Sequence, residues 1–581
     1  MRNKKIMSLT FISAVSGLLL SLTGCGNTVT YDIDNFLPNG TEENPYQIVK
    51  EPVTIKIFAP HSQGNPEYET LTMFKYLEEI TNLKFEFTTC DTSAYSNRRS
   101  AIWSDPNYKP DLFLFNNPIA ELVQFQENNF NAHVPFNDDN YTDSTGLVGN
   151  VIENYMPNYK ALLENNFNIN KEVESAVDAV TLSDNKMYST LSVKDVARDI
   201  TYKMFINDTW IDNLNEDYPS LNLKNASEME TIDDYLEVLI AFKKYDANRN
   251  GDPYDEVPVS SKSLEYLRNF ILASYGYVSY GCELESDGSK FTFVPTTEAY
   301  RKYLETAYDM WNYVDDANPS NKNLMDNATF STTTDSQMAK KGTKGLLGSF
   351  VAAAPFIITG YSSEGGYDEE YVTIPPLTSS YYQGEPIHLG FGYFQPDGAC
   401  IPTTSIYVRE VARLLDIMYS ELGTQLISYG VEGVNWHWDN EEHTSWTFDV
   451  PEEYKSNSEE YRATITPNVG SASALYWSND FVGKMNDKTI SRLNEMSEIY
   501  LPYLKDPEPS NYKMTSAEYS EISTIKATLD VQLEYLESSM IRGEGGVNPH
   551  NDSDWQSFVN KLNGYGATRL EEIYNQMLGR Y

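Results

Sequence analysis

The chain has 581 residues, with 84 Asp plus Glu against 43 Lys plus Arg and a formal charge of -41. That length allows roughly two to four domain-sized units. The charge excludes the usual nucleic-acid binders, whose polyanion partner needs a basic face, and polybasic attachment to anionic lipid.

The N-terminus sets an address. Arg2, Lys4 and Lys5 form a basic region, and an apolar stretch runs from Ile6 to Leu22, too short and too interrupted by Ser and Thr for a membrane span. It ends in Leu22-Thr23-Gly24-Cys25, which resembles a bacterial lipobox: residues 1–24 are a lipoprotein signal peptide, and Cys25 carries the acyl chains after cleavage. The protein is then expected on the extracellular face of the cytoplasmic membrane. From Cys25 to residue 51 the chain is rich in Asn, Gly, Pro, Thr and acid, without hydrophobic periodicity, and reads as a flexible tether holding the body roughly 25–30 Å from the bilayer. Three Cys remain beyond it (Cys90, Cys282, Cys400), enough for one disulfide at most.

Val53, Ile55 and Ile57 alternate as in a half-buried strand, a helix with Leu71, Phe74 and Leu77 follows and stops at Asn82, and residues 84–87 alternate again. Asp111 to Phe115 is a continuous apolar strand, and Pro118 opens a helix over 119–126. This strand–helix order predicts an α/β fold with a parallel sheet, whose ligand crevice lies beyond the strand carboxyl ends, at residues 58–63, 90–93 and 116–117. Residues 150–245 read as largely helical, interrupted by strand-like 187–191 and 202–206. Thr231 is placed to N-cap a helix, with Asp233 and Asp234 at its positive end. Two amphipathic helices, around Trp555 and Leu570, close the chain, so Trp555 is expected in the core, as are Trp103, Trp210 and Trp311.

Directly after the Thr231 helix comes D-A-N-R-N-G-D-P-Y-D-E, residues 246–256. Oxygen side chains at positions 1, 3 and 5 and a Gly at 6 match the first half of an EF-hand-type calcium loop; position 12 is Val257 instead of the bidentate Glu. The expected metal set is Asp246, Asn248, Asn250, Asp252, Asp255 and Glu256, with a structural calcium ion. A solvated Asx-turn loop is the competing reading.

Together, the lipobox, the opening strand–loop–helix, the D-A-N-R-N-G-D-P-Y-D-E-V-P loop, Arg413-Leu414-Leu415-Asp416, the turn Tyr429-Gly430-Val431-Glu432-Gly433 and the Trp555 and Leu570 helices resemble the lipoprotein extracellular solute-binding proteins (family 1) of bacterial ABC importers, in the alginate-binding and LipO-like subgroup. The chain departs from the D-x-N-x-N-G-x-x-D-E-[IV]-P signature by one extra residue between Gly251 and Asp255. The resemblance implies a two-lobe, periplasmic-binding-protein-like fold of type II with a three-segment hinge near 190–200, 343–350 and 395–401. One lobe would hold 52–192 and 345–397, the other 198–343 and 400–581. It also implies a monomeric binding protein, without catalytic residues, that hands a carbohydrate to ABC permease subunits.

A sugar site needs aromatic platforms and fork-like polar groups, and the aromatic content is high, with 43 Tyr and 8 Trp. The expected ligand residues are Trp436, Trp438 and Glu432 in the Gly-rich stretch 429–438, with Trp477, Tyr393, His61 and Asn116. The strong negative charge favours neutral sugars over uronates. Two readings compete. One is a secreted polysaccharide hydrolase, for which 84 carboxylates supply many chance pairs; the other is the same fold binding a peptide or acting as a sensor.

Overall fold

The computed structural model describes residues 31–61, 64–105, 109–114, 132–164, 176–177, 179–182, 184–195, 201–330, 345–352, 371–390, 393–455, 458–467, 475–486, 498–505 and 514–578. Asn116 and Cys25 lie outside them, as does the 119–126 helix.

Two large hydrophobic cores divide the chain. The first gathers residues from Phe36 to Val193 and from Phe394 to Leu475. The second gathers residues from Met204 to Met325, then Val351 to Leu377, then Ile522 to Met577. The chain therefore crosses between cores after Lys194, again between Leu389 and Phe394, and a third time after Val482 and before Tyr500, whose hydroxyl donates to Ile374 O in the second core (2.6 Å). The crossing after Lys194 lies in the expected 190–200 segment; the crossings expected near 343–350 and 395–401, and the lobe boundaries, are corrected. Leu347–Ala352, expected at a hinge and in the first lobe, is an internal strand of the second, buried at all six positions. Residues 400–482 belong largely with the first core. Gly- and Pro-flanked apolar runs read alike whether they cross a hinge or end inside a sheet, and only the packing partners separate the cases.

In the first lobe, Val53–His61 pairs in parallel with Leu83–Asp91 on one side and Leu112–Leu114 on the other, and Ala399–Cys400 closes the sheet antiparallel. The helix Thr72–Thr81 packs Met73, Phe74 and Leu77 inward and ends at Asn82 in the left-handed conformation (φ 61°), as the sequence predicts. In the second lobe, Lys203–Asn207 and Leu347–Ala352 lie between Tyr371–Thr373 and Val257–Ser260. The Ile232–Lys244 helix starts with the expected cap: Thr231 Oγ1 accepts from Asp234 N and the Asp234 carboxylate accepts from Thr231 N. Near the crossings, small strands tie the segments together, Ser192–Lys194 between Phe394–Gln395 and Tyr476–Trp477, and His388–Leu389 beside Leu504–Lys505.

From residue 31 onward the expected tether is folded onto the first lobe. Phe36, Ile48 and Val49 are buried, Phe36 bridges Val49, and Ile48 N donates to Thr81 O (2.9 Å) while Asn44 Nδ2 donates to Ile80 O (2.7 Å). The segment lacks periodicity because it is an irregular clasp that buries three apolar side chains and pairs its backbone mostly within itself, as Leu37 N with Ile48 O and Lys50 N with Asn35 O. Trp103, Trp210 and Trp555 are buried as expected, and Trp311 is half-buried. Among the described residues no disulfide links Cys90, Cys282 and Cys400, and no helix is long and apolar enough to cross a membrane.

Candidate functional site

Two of the expected ligand residues, His61 and Tyr393, occupy restricted positions. His61 ends the Val53–His61 strand, where its Nε2 lies 3.2 Å from Pro66 O and its ring packs on Tyr68. The adjoining notch, lined by Pro60, Asn65, Pro66, Tyr68 and Thr92, holds about 10 Å³, room for one water rather than a sugar. Tyr393 is half-buried against the first core beside the second crossing, and its carbonyl accepts from Lys194 N (2.8 Å). There the Lys194 ammonium meets Gln395 Oε1 (3.2 Å) and Asp397 Oδ2 (3.3 Å), and Ser192 donates to Asp397.

The aromatic stretch forms a hairpin, Trp436–Trp438 against Trp446–Phe448. Strand alternation puts Trp436 and Trp438 on one face and His437 on the other, and the hairpin lies with the Trp face down. Trp436 is fully buried, packs on Trp446 and Phe481 and donates its indole N–H to Gly430 O (3.0 Å). It is core, not a sugar platform, because a two-stranded ribbon needs such a face packed to persist. Gly430 (φ 89°) makes this approach possible, since a Cβ there would stand 2.4 Å from Asn435 Oδ1 and Ile465 Cγ2. Glu432 is exposed in the turn, with its backbone bridged to Trp436.

Trp438, at the rim of the same face, is half-buried and keeps a surface to offer. His443 stacks on it (4.5 Å, 4°) and the Lys484 ammonium lies 6.0 Å from its ring centre. It lines a cavity of about 260 Å³ with Glu421, Thr424, Tyr476, Ser478, Asp480, Phe481 and Lys484. Trp477, the expected second platform, does not line it. Trp477 packs between the first core and the hairpin core, while its neighbour Tyr476 lines the cavity. The period of two in the Tyr476–Trp477 strand sends these rings to opposite faces; sequence reasoning chose the larger ring, but register decides. Burial pushes the Tyr476 hydroxyl up to about 12, and Asp195, at the first crossing, up to about 6, partly opposed by the hydrogen bond it accepts from Asn479 N (2.6 Å). The cavity thus adjoins the first and third crossings and offers three aromatic rings, two carboxylates, three hydroxyls and an ammonium.

The 246–256 loop gathers its oxygens. Asn250 N donates to Asp246 Oδ1 (3.0 Å) and to Asn248 Oδ1 (2.9 Å), and Gly251 N donates to Asp246 Oδ2 (2.9 Å). Asn248 and Asn250 both donate their side-chain N–H groups to Asp255 (3.3 and 2.9 Å). The extra residue is absorbed in an outward turn. Asp252 Oδ1 accepts from Tyr254 N (3.2 Å) and both side chains are exposed, so Asp252, expected as a ligand, makes an Asx turn instead. Among the described residues no three His, Cys, Asp or Glu side chains form a metal-holding group, so any oxygen set here is mixed carboxylate and amide. Glu256 tests the fit. It is 2% exposed, Oε1 accepts from Ala247 N (2.9 Å), and Oε2 is buried without a hydrogen-bond partner. Burial pushes its carboxyl up to about 7. An orphaned carboxylate oxygen beside Asp246, Asn248, Asn250 and Asp255 fits a hard cation.

No protein-family profile matches the chain. A fructooligosaccharide ABC transporter substrate-binding protein, FusA, from Streptococcus pneumoniae serotype 4 is 23% identical over 465 residues, covering 75% of this chain and 76% of that protein. Over most of its length the chain is thus similar to a bacterial ABC transporter substrate-binding protein. Among solved structures of solute-binding proteins, FusA in complex with kestose matches with a TM-score of 0.66 at 19% identity, over 91% of this chain and 99% of that one. A human-milk-oligosaccharide (HMO)-binding solute-binding protein from Bifidobacterium longum infantis matches with a TM-score of 0.69 at 17% identity, over 91% and 99%. The alginate-binding protein AlgQ2, solved without calcium ion, gives 0.66 at 17%, over 92% and 100%. FusA has also been solved as an EF-hand mutant. At these identities the solved structures carry the two-lobe fold and nothing finer.

Proposed function

We propose that this protein captures an oligosaccharide for an ABC importer, with the 260 Å³ cavity walled by Trp438 and Tyr476 as part of its site. The observation that carries the reading is the juxtaposition of that cavity with the crossings between lobes. Sugar C–H faces pack on the two rings, while Glu421 and Asp480 accept from hydroxyls and Lys484, Thr424 and Ser478 donate to them. Lobe closure, absorbed in the short crossings, would exclude water from these hydrogen bonds. The kestose-bound and HMO-binding relatives favour this ligand class. Neutral sugars suit a cavity with more carboxylates than cations. The relatives are transport binding proteins rather than enzymes, which supports binding without turnover.

The reading extends to Cys25 as the lipidated residue and to permease subunits as partners. It includes a calcium ion held by Asp246, Asn248, Asn250, Asp255 and Glu256, with the FusA EF-hand mutant as a parallel. Bound calcium would supply positive charge that cross-links the loop; it takes no part in gripping the sugar. Asp246 and Asn248 hold the loop turn, and Glu256 ties it to Ala247 N at the foot of the preceding helix. Calorimetric titration with kestose, milk-type oligosaccharides and alginate oligomers, with product analysis of each mixture, tests the function. Saturable binding weakened by Trp438→Ala supports it; cleavage of any sugar, or no binding across the panel, overturns it.

A further inference from the structure

The folded clasp at residues 31–51 changes where the body can stand. Tyr31 is half-buried on the first lobe, 6.4 Å from Tyr407 and 5.6 Å from the Arg409 guanidinium. Arg409, in turn, donates to Thr145 Oγ1 (2.7 Å) and Leu147 O (2.8 Å) in the 142–147 hairpin. Further along, Asn35 Nδ2 donates to Glu51 O (3.0 Å), Asn82 Nδ2 donates to Lys50 O (2.9 Å), and Arg413 donates to Pro45 O (3.2 Å). Tyr31 is the first described residue, and six peptide units separate it from Cys25. Fully extended they reach at most ~20 Å, and as a coil about 12–15 Å. The 25–30 Å stand-off that composition suggests is not reachable.

We infer that the first-lobe face around Tyr31 is the one held against the bilayer surface, with Ile33 and Leu147 as its nearest apolar side chains. Both are exposed, at 53% and 67%; Ile33 lies two residues from Tyr31, and the Leu147 carbonyl accepts from Arg409. The occupant is a lipid surface because the chain beyond Tyr31 is too short to turn another face toward it. Charge does not drive the approach. Asp32 and Asp34 are exposed beside Ile33, so the contact is imposed by the tether and is the same on neutral and anionic lipid. The second lobe then lies farther from the membrane, hinged on a first lobe that is held in place.

The inference rests on Cys25 lipidation, and the experiment separates the two. Protein purified from membranes is first weighed intact for the diacylglyceryl adduct. It is then placed in phosphatidylcholine vesicles bearing a headgroup acceptor, with a donor on Leu147→Cys or, on the second lobe, Val531→Cys, both in a Cys90→Ser background. Transfer several-fold higher from 147 than from 531 is expected. A twenty-residue Gly/Ser insertion after Gly26, adding roughly 15 Å of coil reach, should lower it. Equal transfer from both sites, or insensitivity to the insertion, overturns the face assignment while leaving the anchor intact. Absence of the adduct overturns the anchor and the assignment together.

Discussion

Two buried carboxylates in the second lobe have opposite surroundings. Glu537, fully buried on the long Ser516–Arg542 helix, accepts from Arg268 (2.8 Å), Tyr300 (3.0 Å) and Tyr303 (2.7 Å), and Arg268 stacks on Tyr280 (3.6 Å). Glu256, buried almost as deeply, keeps one oxygen without a partner. A charge taken from water must be compensated. At Glu537 the fold supplies the compensation and the result is a structural lock between helices. At Glu256 only Oε1 is compensated, by Ala247 N, and burial raises the pKa of the carboxyl.

Removing the Glu537 partner should have the largest effect. Arg268→Ala is expected to cost about 3–5 kcal/mol, read by denaturant unfolding, whereas Glu256→Gln without calcium should cost little; equal losses would erase the distinction between the two sites. A third buried carboxylate extends the test. Burial pushes Glu410, 1% exposed beneath Tyr31, from 4.5 up to about 7. Between those values the folded chain keeps a proton the unfolded chain has released. Stability should therefore fall as pH rises through that window, by up to about 3 kcal/mol, and Glu410→Gln should flatten that part of the profile. A profile unchanged by the substitution would mean Glu410 is compensated like Glu537.

Calcium sharpens the contrast from the other side. At a hundredfold excess over Kd it should raise unfolding free energy by about 2.7 kcal/mol, with Glu256→Gln or Asp246→Ala abolishing the shift and Arg268→Ala leaving it in place. A shift that survives Glu256→Gln would remove that residue from the metal set. The smallest change expected is at Trp438, where Ala should weaken sugar binding by about 1–2 kcal/mol with a minor loss of stability. Trp436→Ala should instead unfold the hairpin with little direct bearing on ligand contacts, so thermal melts and titrations of the two variants should diverge.

Much of this was legible locally. The alternation of Val53, Ile55 and Ile57, the Asn82 stop, the Thr231 cap and the D-A-N-R-N-G loop depend on neighbours a few residues away, and the structure keeps each of them. The site was less legible. Trp436 and Trp438 share one strand face, so a period of two cannot separate them, and it puts adjacent Tyr476 and Trp477 on opposite faces without saying which lies down; packing on Phe481 and the first core, far along the chain, decides. Glu421 and Thr424 gave no sequence signal at all, because they join the cavity only where their helix meets the Tyr476–Trp477 strand.

The sequence by itself determined the Leu22-Thr23-Gly24-Cys25 motif, the α/β alternation and the oxygen-rich turn, since each is written in spacing and side-chain chemistry over about a dozen residues. Only the tertiary structure decided that residues 31–51 are clasp instead of tether, where the chain crosses between lobes, and which ring faces the cavity. Those outcomes turn on burial, a sum over partners distant in the chain, as when Asp416 accepts from Asn158 N and Tyr159 N. No local pattern encodes that sum.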